Sequence, residues 1–380
     1  MTTWALCGAT VLTPDGPLEG YAVVVENDRI AAVVPDAEVA GGCRREALAG
    51  GVLAPGFIDV QVNGGGGVLL NDNPTVEGMA AIAEAHSRFG TTGLMPTLIS
   101  DDLDVVARAI ASADAAVAQG VPGVLGVHIE GPFLNPAKRG IHDADKFRRL
   151  DEEAISLLTR PGPARRMVTI APELAPPGAI RRLSEAGVIV CGGHSLAGYE
   201  QTIGALDEGL SGFTHLFNAM TQLGSREPGM VGAALEAKHC CFGLIVDGEH
   251  VHPATLRIAL AAHGHEGVML VTDAMPSVGG AQTSFALGGR LIHVEGNACR
   301  AEDGTLAGSN LDMATAFANA VRMLRVSPST ASRMASGTPA RFLGLEREVG
   351  ALAAGFRADI VHLDEDLKVG RVWLGGELRQ

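Results

Sequence analysis

The feature that most constrains the fold is a series of short apolar runs that each end near a polar, ligand-type side chain. Four of them, GVLGVHIEG, VIVCGGHS, GFTHLF and GVMLVTDA, contain Glu130, His194, His215 and Asp273. Runs of this kind are typical of buried parallel strands. In a (β/α)8 barrel, the residues at the exits of different strands meet at one face. The pattern therefore predicts that these four side chains lie together.

Eight strand-like runs alternate with Ala-rich stretches in which apolar residues recur at helical spacing. The runs lie at 56–61, 93–98, 124–130, 167–173, 188–194, 212–217, 241–247 and 268–273. Eight strand–helix units predict an α/β fold, a (β/α)8 TIM-type barrel. An open doubly wound sheet is the structural alternative, but the dinucleotide fingerprint that such sheets often carry is missing.

The two ends of the chain are rich in β-forming residues. Residues 21–36, YAVVVENDRIAAVVPD, predict a hairpin, and DIVHLD and RVWLGGEL near the C-terminus predict further strands. We expect both termini to form one small β-sandwich domain. The predicted division assigns residues 1–54 and 346–380 to this domain and residues 55–345 to the barrel.

Charge and composition exclude several classes of protein. Hydrophobic residues make up 47% of the 380 residues, so the chain is globular, and the formal net charge of −14 argues against nucleic acid or membrane surfaces as partners. No apolar stretch approaches the roughly 20 residues of a membrane span, and we expect no signal peptide. The six cysteines form no CxxC pair. Reduced thiols, and hence a cytoplasmic protein, are predicted.

The four strand-end residues match the chemistry of a metal-dependent hydrolase. Two imidazoles and one carboxylate, from His194, His215 and Glu130, are a ligand set of catalytic zinc sites, which leave a position for water. Asp273 can accept a proton from that water. Each histidine alone could be structural, and Asp273 alone could cap a helix. Together, on four strand ends, they predict a metal site.

Other polar motifs carry less weight. The run NGGGG at 63–67 is followed by no GK[ST], so we interpret it as a flexible loop. His250 and His252 form an HxH pair, which could bind a second metal or contact substrate. His86 lies in a helix-like stretch and is predicted to be structural.

Several longer motifs run in order over nearly the whole chain, including HIEGPFLNPAKRGIH (128–142), GGHSLAGY (192–199), THLFNAM (214–220) and DGTLAGSNLDM (303–313). In these motifs the chain resembles the N-acetylglucosamine-6-phosphate deacetylase family of the amidohydrolase superfamily. The resemblance implies a barrel with a β domain, a homodimer, and hydrolysis of the N-acetyl amide of N-acetylglucosamine 6-phosphate to glucosamine 6-phosphate and acetate. Such a reaction belongs to amino-sugar catabolism and cell-wall recycling.

The resemblance also implies roles for individual residues. Glu130, His194 and His215 match the family's metal ligands, and Asp273 matches its acid/base. His142 matches a catalytic residue that contacts substrate near the scissile amide. Arg226 and His250 match positions that would bind phosphate in a site completed across the dimer interface. Together with these two, the other matched substrate-binding positions are Asn218, Ala219, Leu306, Ala307 and Gly308.

The exit of the first strand departs from the wider superfamily. Many amidohydrolases carry His-x-His there for a second metal, whereas this chain has Gln61-Val62-Asn63. Neutral amides are poor zinc ligands beside imidazole. We therefore expect one divalent metal per subunit, zinc before iron, manganese or cobalt.

Two alternative functions remain on the residues alone. A different amidohydrolase, acting on a cyclic amide or an N-acyl amino acid, would keep the metal site but lack a use for the Arg226 and His250 pair. A non-enzymatic sugar-phosphate sensor would have no need of a proton acceptor at Asp273.

Overall fold

The structure is a computed structural model that describes residues 3–380. Its N-terminal segment forms seven short strands. They are β1 (Thr3–Cys7), β2 (Thr10–Thr13), β3 (Gly16–Leu18), β4 (Tyr21–Glu26), β5 (Arg29–Pro35), β6 (Arg44–Ala47) and β7 (Val52–Pro55). The hairpin predicted at residues 21–36 is confirmed, because β4 pairs with β5 in antiparallel register. Both faces of β4 are covered, because Val23 and Val25 are buried on one face and Ala22 is buried on the other.

The barrel begins with β8 (Phe57–Val62), which is followed by a small hairpin of β9 (Gly64–Gly65) and β10 (Val68–Leu69). Seven more barrel strands follow in chain order: β11 (Thr91–Ile99), β12 (Gly126–Glu130), β13 (Arg165–Ile170), β14 (Ile189–Gly192), β15 (Gly212–Phe213), β16 (Cys241–Leu244) and β17 (Val268–Leu270). Neighbours in the chain are neighbours in the sheet, and every pair is parallel. Each of the eight predicted runs overlaps one of these strands, and five of them contain the whole strand.

Hydrogen bonds at the barrel mouth join the first strand to the last. Val62 and Ala274 form a parallel bridge. The backbone N–H of Asp273 donates to Gln61 O at 3.0 Å, and that of Asn63 donates to Ala274 O at 2.9 Å. The sheet therefore has no free edge at this level, so the barrel prediction is confirmed and the open doubly wound alternative was wrong.

A helix follows each barrel strand and covers the outside of the barrel. These helices are α1 (Val76–Ser87), α2 (Leu103–Ala118), α3 (Glu152–Leu158), α4 (Ala179–Glu185), α5 (Tyr199–Asp207), α6 (Gly229–Glu236), α7 (Pro253–His263) and α8 (Met313–Asn319), and α9 (Pro328–Ser332) and α10 (Thr338–Phe342) come after them. The helix α1 shows why such segments form: the Thr75 hydroxyl caps its first turn, and Met79 and Ile82 bury its apolar face.

A four-stranded antiparallel meander is inserted between β17 and α8. Its strands are β18 (Ser284–Leu287), β19 (Arg290–Glu295), β20 (Ala298–Ala301) and β21 (Leu306–Ser309). Ser309 bridges to Ala274, and its N–H donates to Asp273 O at 2.9 Å. The last strand of the meander therefore lies against the barrel mouth.

The C-terminal strands return to the N-terminal ones. They are β22 (Ile360–Leu363), β23 (Val369–Leu374) and β24 (Glu377–Leu378), and β22 pairs with β7 in a six-stranded sheet. This sheet shares an apolar core with the sheet of β1, β4, β5 and β6; Trp4, Leu53 and Trp373 belong to that core. Both termini thus form the predicted β-rich domain, whereas its residue boundaries stay a prediction. Within residues 3–380, no helix combines the length and apolarity needed to cross a membrane.

Candidate active site

The predicted metal ligands converge at the mouth of the barrel. Glu130 ends β12, and His194 and His215 follow β14 and β15 by two residues each; all three are at most 5% exposed. Glu130 Oε1 lies 3.1 Å from His194 Nε2 and 3.0 Å from His215 Nε2, and the two nitrogens are 3.0 Å apart. Three strands that are far apart in sequence therefore direct one carboxylate and two imidazoles at one point.

The chemistry of these three groups fits a cation. His194 Nδ1 lies 2.8 Å from Lys138 O, and a carbonyl only accepts, so Nδ1 carries the proton and Nε2 the lone pair of the neutral ring. That lone pair faces a carboxylate, which is favourable only with a proton or a cation between them. Burial opposes ionisation of Glu130, but the adjacent His194 and His215 rings, when protonated, hold its pKa well below the usual range. These residues can therefore hold a divalent ion.

The backbone at this site is strained. His194, His215 and Asp273 have φ values of 48°, 31° and 53°, in the left-handed region that non-glycine residues rarely adopt. Phe217 and Ala219, on the loop after His215, share this conformation. Only three further non-glycine residues in the described chain have positive φ, so the strain is concentrated where the polar side chains must be aimed.

Asp273 faces the ligand cluster and is held by two amides. Gln61 Nε2 and Asn63 Nδ2 both donate to Asp273 Oδ1, at 3.2 and 2.6 Å, and Gln61 Nε2 is also 3.1 Å from Glu130 Oε2. Gln61, the first residue of the segment that replaces His-x-His, thus links the two carboxylates by hydrogen bonds, and Asn63 contacts Asp273 alone. Burial, followed by the negative charge of Glu130, raises the pKa of Asp273 to about 6.

His142 is a neutral hydrogen-bond donor in this arrangement. Its Nδ1 accepts the backbone N–H of Ser100 at 3.3 Å and lies 2.9 Å from the Ser100 hydroxyl. A backbone N–H only donates, so Nε2 carries the proton, and it lies 4.0 Å from Glu130 Oε1. Burial and the neighbouring His194 lower the pKa of His142 to about 3. The imidazole therefore presents an N–H to the cavity without a charge.

A cavity of about 350 Å³ opens above these groups. A volume of this order suits a small ligand. Of the residues predicted from the resemblance, the cavity is lined by Glu130, His142, His194, His215, Asn218, Ala219, His250, Asp273, Leu306 and Gly308. Gly308 has a φ of 68°, and a Cβ there would lie 2.7 Å from Asp273 O, so only glycine allows the meander to approach this closely.

Two predicted substrate residues lie elsewhere. Arg226 is on an exposed loop and is not among the lining residues of its own subunit's cavity. Ala307 is fully buried, with its side chain in the core of the meander, because alternate residues of β21 face opposite sides. Their substrate contacts stay predictions.

The remaining histidines have ordinary structural partners. His250 Nδ1 is 2.5 Å from Asp247 Oδ2, whereas His252 Nδ1 caps α7 by accepting from Ala254 N. Among residues 3–380, the only group of three metal-type donors is Glu130, His194 and His215, so the HxH pair gains no support as a second metal site. His86 is buried, with Nε2 2.9 Å from Gly64 O, consistent with its structural role.

Two further residues of the site, Ser100 and Lys138, were not predicted from the sequence. Ser100, which sets the tautomer of His142, directly follows β11, so the rule that strand ends carry function would have identified it. Lys138 lines the cavity from the loop after β12, where no periodic pattern marks it.

The chain matches known protein families over nearly its whole length. Residues 52–379 match the model of the amidohydrolase family, and residues 3–53 match the NagA composite domain. The N-acetylgalactosamine-6-phosphate deacetylase of Shewanella sp. (strain ANA-3) is 43% identical over 98% of this chain and 94% of its own.

Two solved structures cover almost the whole chain. The N-acetylglucosamine-6-phosphate deacetylase from Pasteurella multocida is 31% identical, with a TM-score of 0.95 over 99% of both chains. A mutant of the enzyme from Mycobacterium smegmatis, in complex with N-acetyl-D-glucosamine-6-phosphate, is 34% identical, with a TM-score of 0.91 over 100% of both chains. The chain therefore belongs to the amidohydrolase family and, within it, to the family of N-acetylglucosamine- and N-acetylgalactosamine-6-phosphate deacetylases.

Proposed function

We propose that this protein hydrolyses the N-acetyl amide of N-acetylglucosamine 6-phosphate, giving glucosamine 6-phosphate and acetate. The observation that carries the proposal is the convergence of Glu130, His194 and His215 opposite Asp273, in a chain of this deacetylase family. The cavity presents the Nε2–H of His142 and the carboxylate of Asp273 beside these ligands, which suits an amide carbonyl and its attacking water.

Glu130, His194 and His215 would hold one divalent ion per subunit, most favourably zinc. When bound, such an ion lowers the pKa of a water molecule and polarises a carbonyl oxygen. Iron, manganese and cobalt accept the same ligands. Gln61 and Asn63, whose amide N–H groups are engaged by Asp273 and Glu130, leave no imidazole for a second ion.

Asp273 moves the proton in this mechanism. Because its Oδ1 accepts from both Gln61 and Asn63, Oδ2 is left to take a proton from the attacking water. In the metal-free protein, burial raises the pKa of Asp273 to about 6, so this carboxylate is a stronger base than an ordinary aspartate. The protonated Asp273 then donates its proton to the amine as the C–N bond breaks. The oxygen of the water ends in acetate, and the proton that Asp273 took from it ends on the amine.

His142 stabilises the negative charge that develops on the acetyl oxygen. Its Nε2–H faces the site and stays neutral, so it donates without competing with the cation for charge. Donors of this kind typically contribute 10²–10³-fold to turnover.

The phosphate would bind beside His250, which lines the cavity and has its Nδ1 held by Asp247. We assign Arg226 to the cavity of a second subunit in a homodimer, because it is exposed and outside its own cavity. A cytoplasmic location fits the six free cysteines.

The test is acetate release from N-acetylglucosamine 6-phosphate, from N-acetylglucosamine and from an N-acyl amino acid. The proposal expects rapid release from the phosphosugar alone and its loss with a chelator. Arg226→Ala should raise KM for the phosphosugar and leave the weak reaction of N-acetylglucosamine unaffected. Faster hydrolysis of the acyl amino acid would replace the proposal with a different amidohydrolase activity, and no acetate from any compound would favour a sensor.

The 4-epimer is a second candidate substrate. The Shewanella relative, named for N-acetylgalactosamine 6-phosphate, shares 43% of residues with this chain, more than the 31% and 34% of the two solved glucosamine-type structures. Values of kcat/KM for the two epimers, measured on one preparation, decide between them.

A further inference from the structure

Lys138 occupies a fixed position at the wall of the active-site cavity. It lies on the loop after β12, and its backbone carbonyl accepts the Nδ1–H of His194 at 2.8 Å. The side chain extends toward the loop after β15, where Nζ donates to Met220 O at 3.2 Å. Asn218 and Ala219, which also line the cavity, directly precede Met220. Lys138 therefore links the loop after β12 to the loop after β15 at the cavity wall.

The charge of Lys138 has no anionic partner. Over residues 3–380, no carboxylate oxygen comes within the 4.0 Å of an ion pair with its Nζ, and its one hydrogen-bond acceptor is a neutral carbonyl. The ammonium group has three N–H bonds, so two remain for other acceptors. In a chain with 43 acidic and 29 basic residues, the charge of Lys138 is thus available to an anion in the cavity.

No other lysine or arginine lines this cavity among the described residues. His250 also lines the cavity, but its Nδ1 is already engaged by Asp247. A doubly charged phosphate in a protein of net charge −14 needs a permanent positive charge close by. Within one subunit, Lys138 is the side chain that meets this need.

We propose that Lys138 binds the anionic group of the substrate, which is the 6-phosphate if the proposed function holds. The residue would determine specificity by supplying a permanent charge from the same chain, beside His250. Lysine binds phosphate as a point charge through its several N–H groups. On binding, the two free N–H bonds of Nζ would donate to phosphate oxygens while the bond to Met220 O is kept or exchanged.

The test compares Lys138→Met with Lys138→Arg and with Arg139→Gln. Arg139 is the adjacent residue, is exposed and is not a lining residue, so its substitution removes the same charge outside the cavity. Because His194 binds the backbone of residue 138, these side-chain changes leave that hydrogen bond in place. Glucosamine 6-phosphate and glucosamine, which have no acetyl group to hydrolyse, serve as probes in calorimetry on the metal-loaded protein, on which KM and kcat are also measured.

Lys138→Met should weaken glucosamine 6-phosphate binding and raise KM about tenfold or more, with a smaller effect on kcat, because a charged hydrogen bond is lost. Lys138→Arg should recover part of this, and Arg139→Gln should match wild type. Unchanged affinity in Lys138→Met, or equal losses with glucosamine, would overturn the assignment. The binding assay keeps this outcome separate from the proposed function, which fails if wild-type protein releases no acetate.

Discussion

Replacing Asp273 with asparagine should separate proton transfer from substrate binding. The asparagine oxygen can still accept from Gln61 and Asn63, so the position of the side chain is kept. Its other terminal atom becomes an NH₂ group, which cannot take a proton from water. General-base catalysis typically contributes 10²–10⁴-fold, so kcat should fall by that factor, equivalent to about 3–5 kcal/mol, while KM changes little.

The same substitution should stabilise the metal-free protein at high pH. Burial and the charge of Glu130 raise the pKa of Asp273 from 3.8 to about 6, so the folded protein disfavours the ionised carboxylate. For an acid with a raised pKa, the contribution to stability is full below pH 3.8 and is lost as pH rises through about 6. The full difference corresponds to about 3 kcal/mol, and partial exposure of Asp273 reduces it to about 1–3 kcal/mol.

Acetate release and urea unfolding at pH 4 to 8, after chelation, measure both effects. Asp273→Asn should gain little over wild type at pH 4 and about 1–3 kcal/mol at pH 8. Asp15→Asn removes the same charge from an exposed turn of the β domain and should change neither quantity. Turnover within tenfold of wild type, or a stability gap that does not grow with pH, would refute the assignment of Asp273 as a buried, proton-accepting carboxylate.

Three further substitutions test other parts of the site. His142→Gln should lower kcat about 10²–10³-fold in acetate release, with little change in KM, and a near-normal kcat would exclude it as a donor to the acetyl oxygen. Gln61→Glu should cut turnover about tenfold or more and let a second divalent ion bind, because three acidic groups then meet; elemental analysis that still finds one ion would contradict this. Gly193→Ala should destabilise the protein by about 1–3 kcal/mol in thermal unfolding, since its Cβ would lie 2.8 Å from Thr169 Cγ2. An unchanged Tm would contradict this prediction, because Thr169 would then move aside without loss of stability.

The sequence was most informative where one physical rule dominates. Buried parallel strands are short, apolar and uninterrupted, so β12, β14, β15 and β17 could be predicted along with the residues that follow them. The barrel then determines that strand ends meet, which is why Glu130, His194 and His215 could be grouped across 85 residues without any local motif joining them.

Other features depend on contacts that no periodicity records. The amides of Gln61 and Asn63 were predicted to be poor ligands, but their bonds to Asp273 exist only because strands more than 200 residues apart close the barrel. The tautomer of His142 follows from one backbone N–H of Ser100. For Arg226 the sequence was more informative than the single chain. A residue that would act across a subunit boundary can be matched by its motif, but its partner lies outside the chain.

The central claim is that two imidazoles and one glutamate hold a single cation that amide hydrolysis requires. It is tested most directly by titrating zinc into chelator-treated protein while acetate release from N-acetylglucosamine 6-phosphate is followed. We predict no acetate release before zinc is added. The rate of release should then rise linearly with added zinc and stop rising at about one ion per subunit. Full activity without added metal, or a break at two ions per subunit, would contradict it.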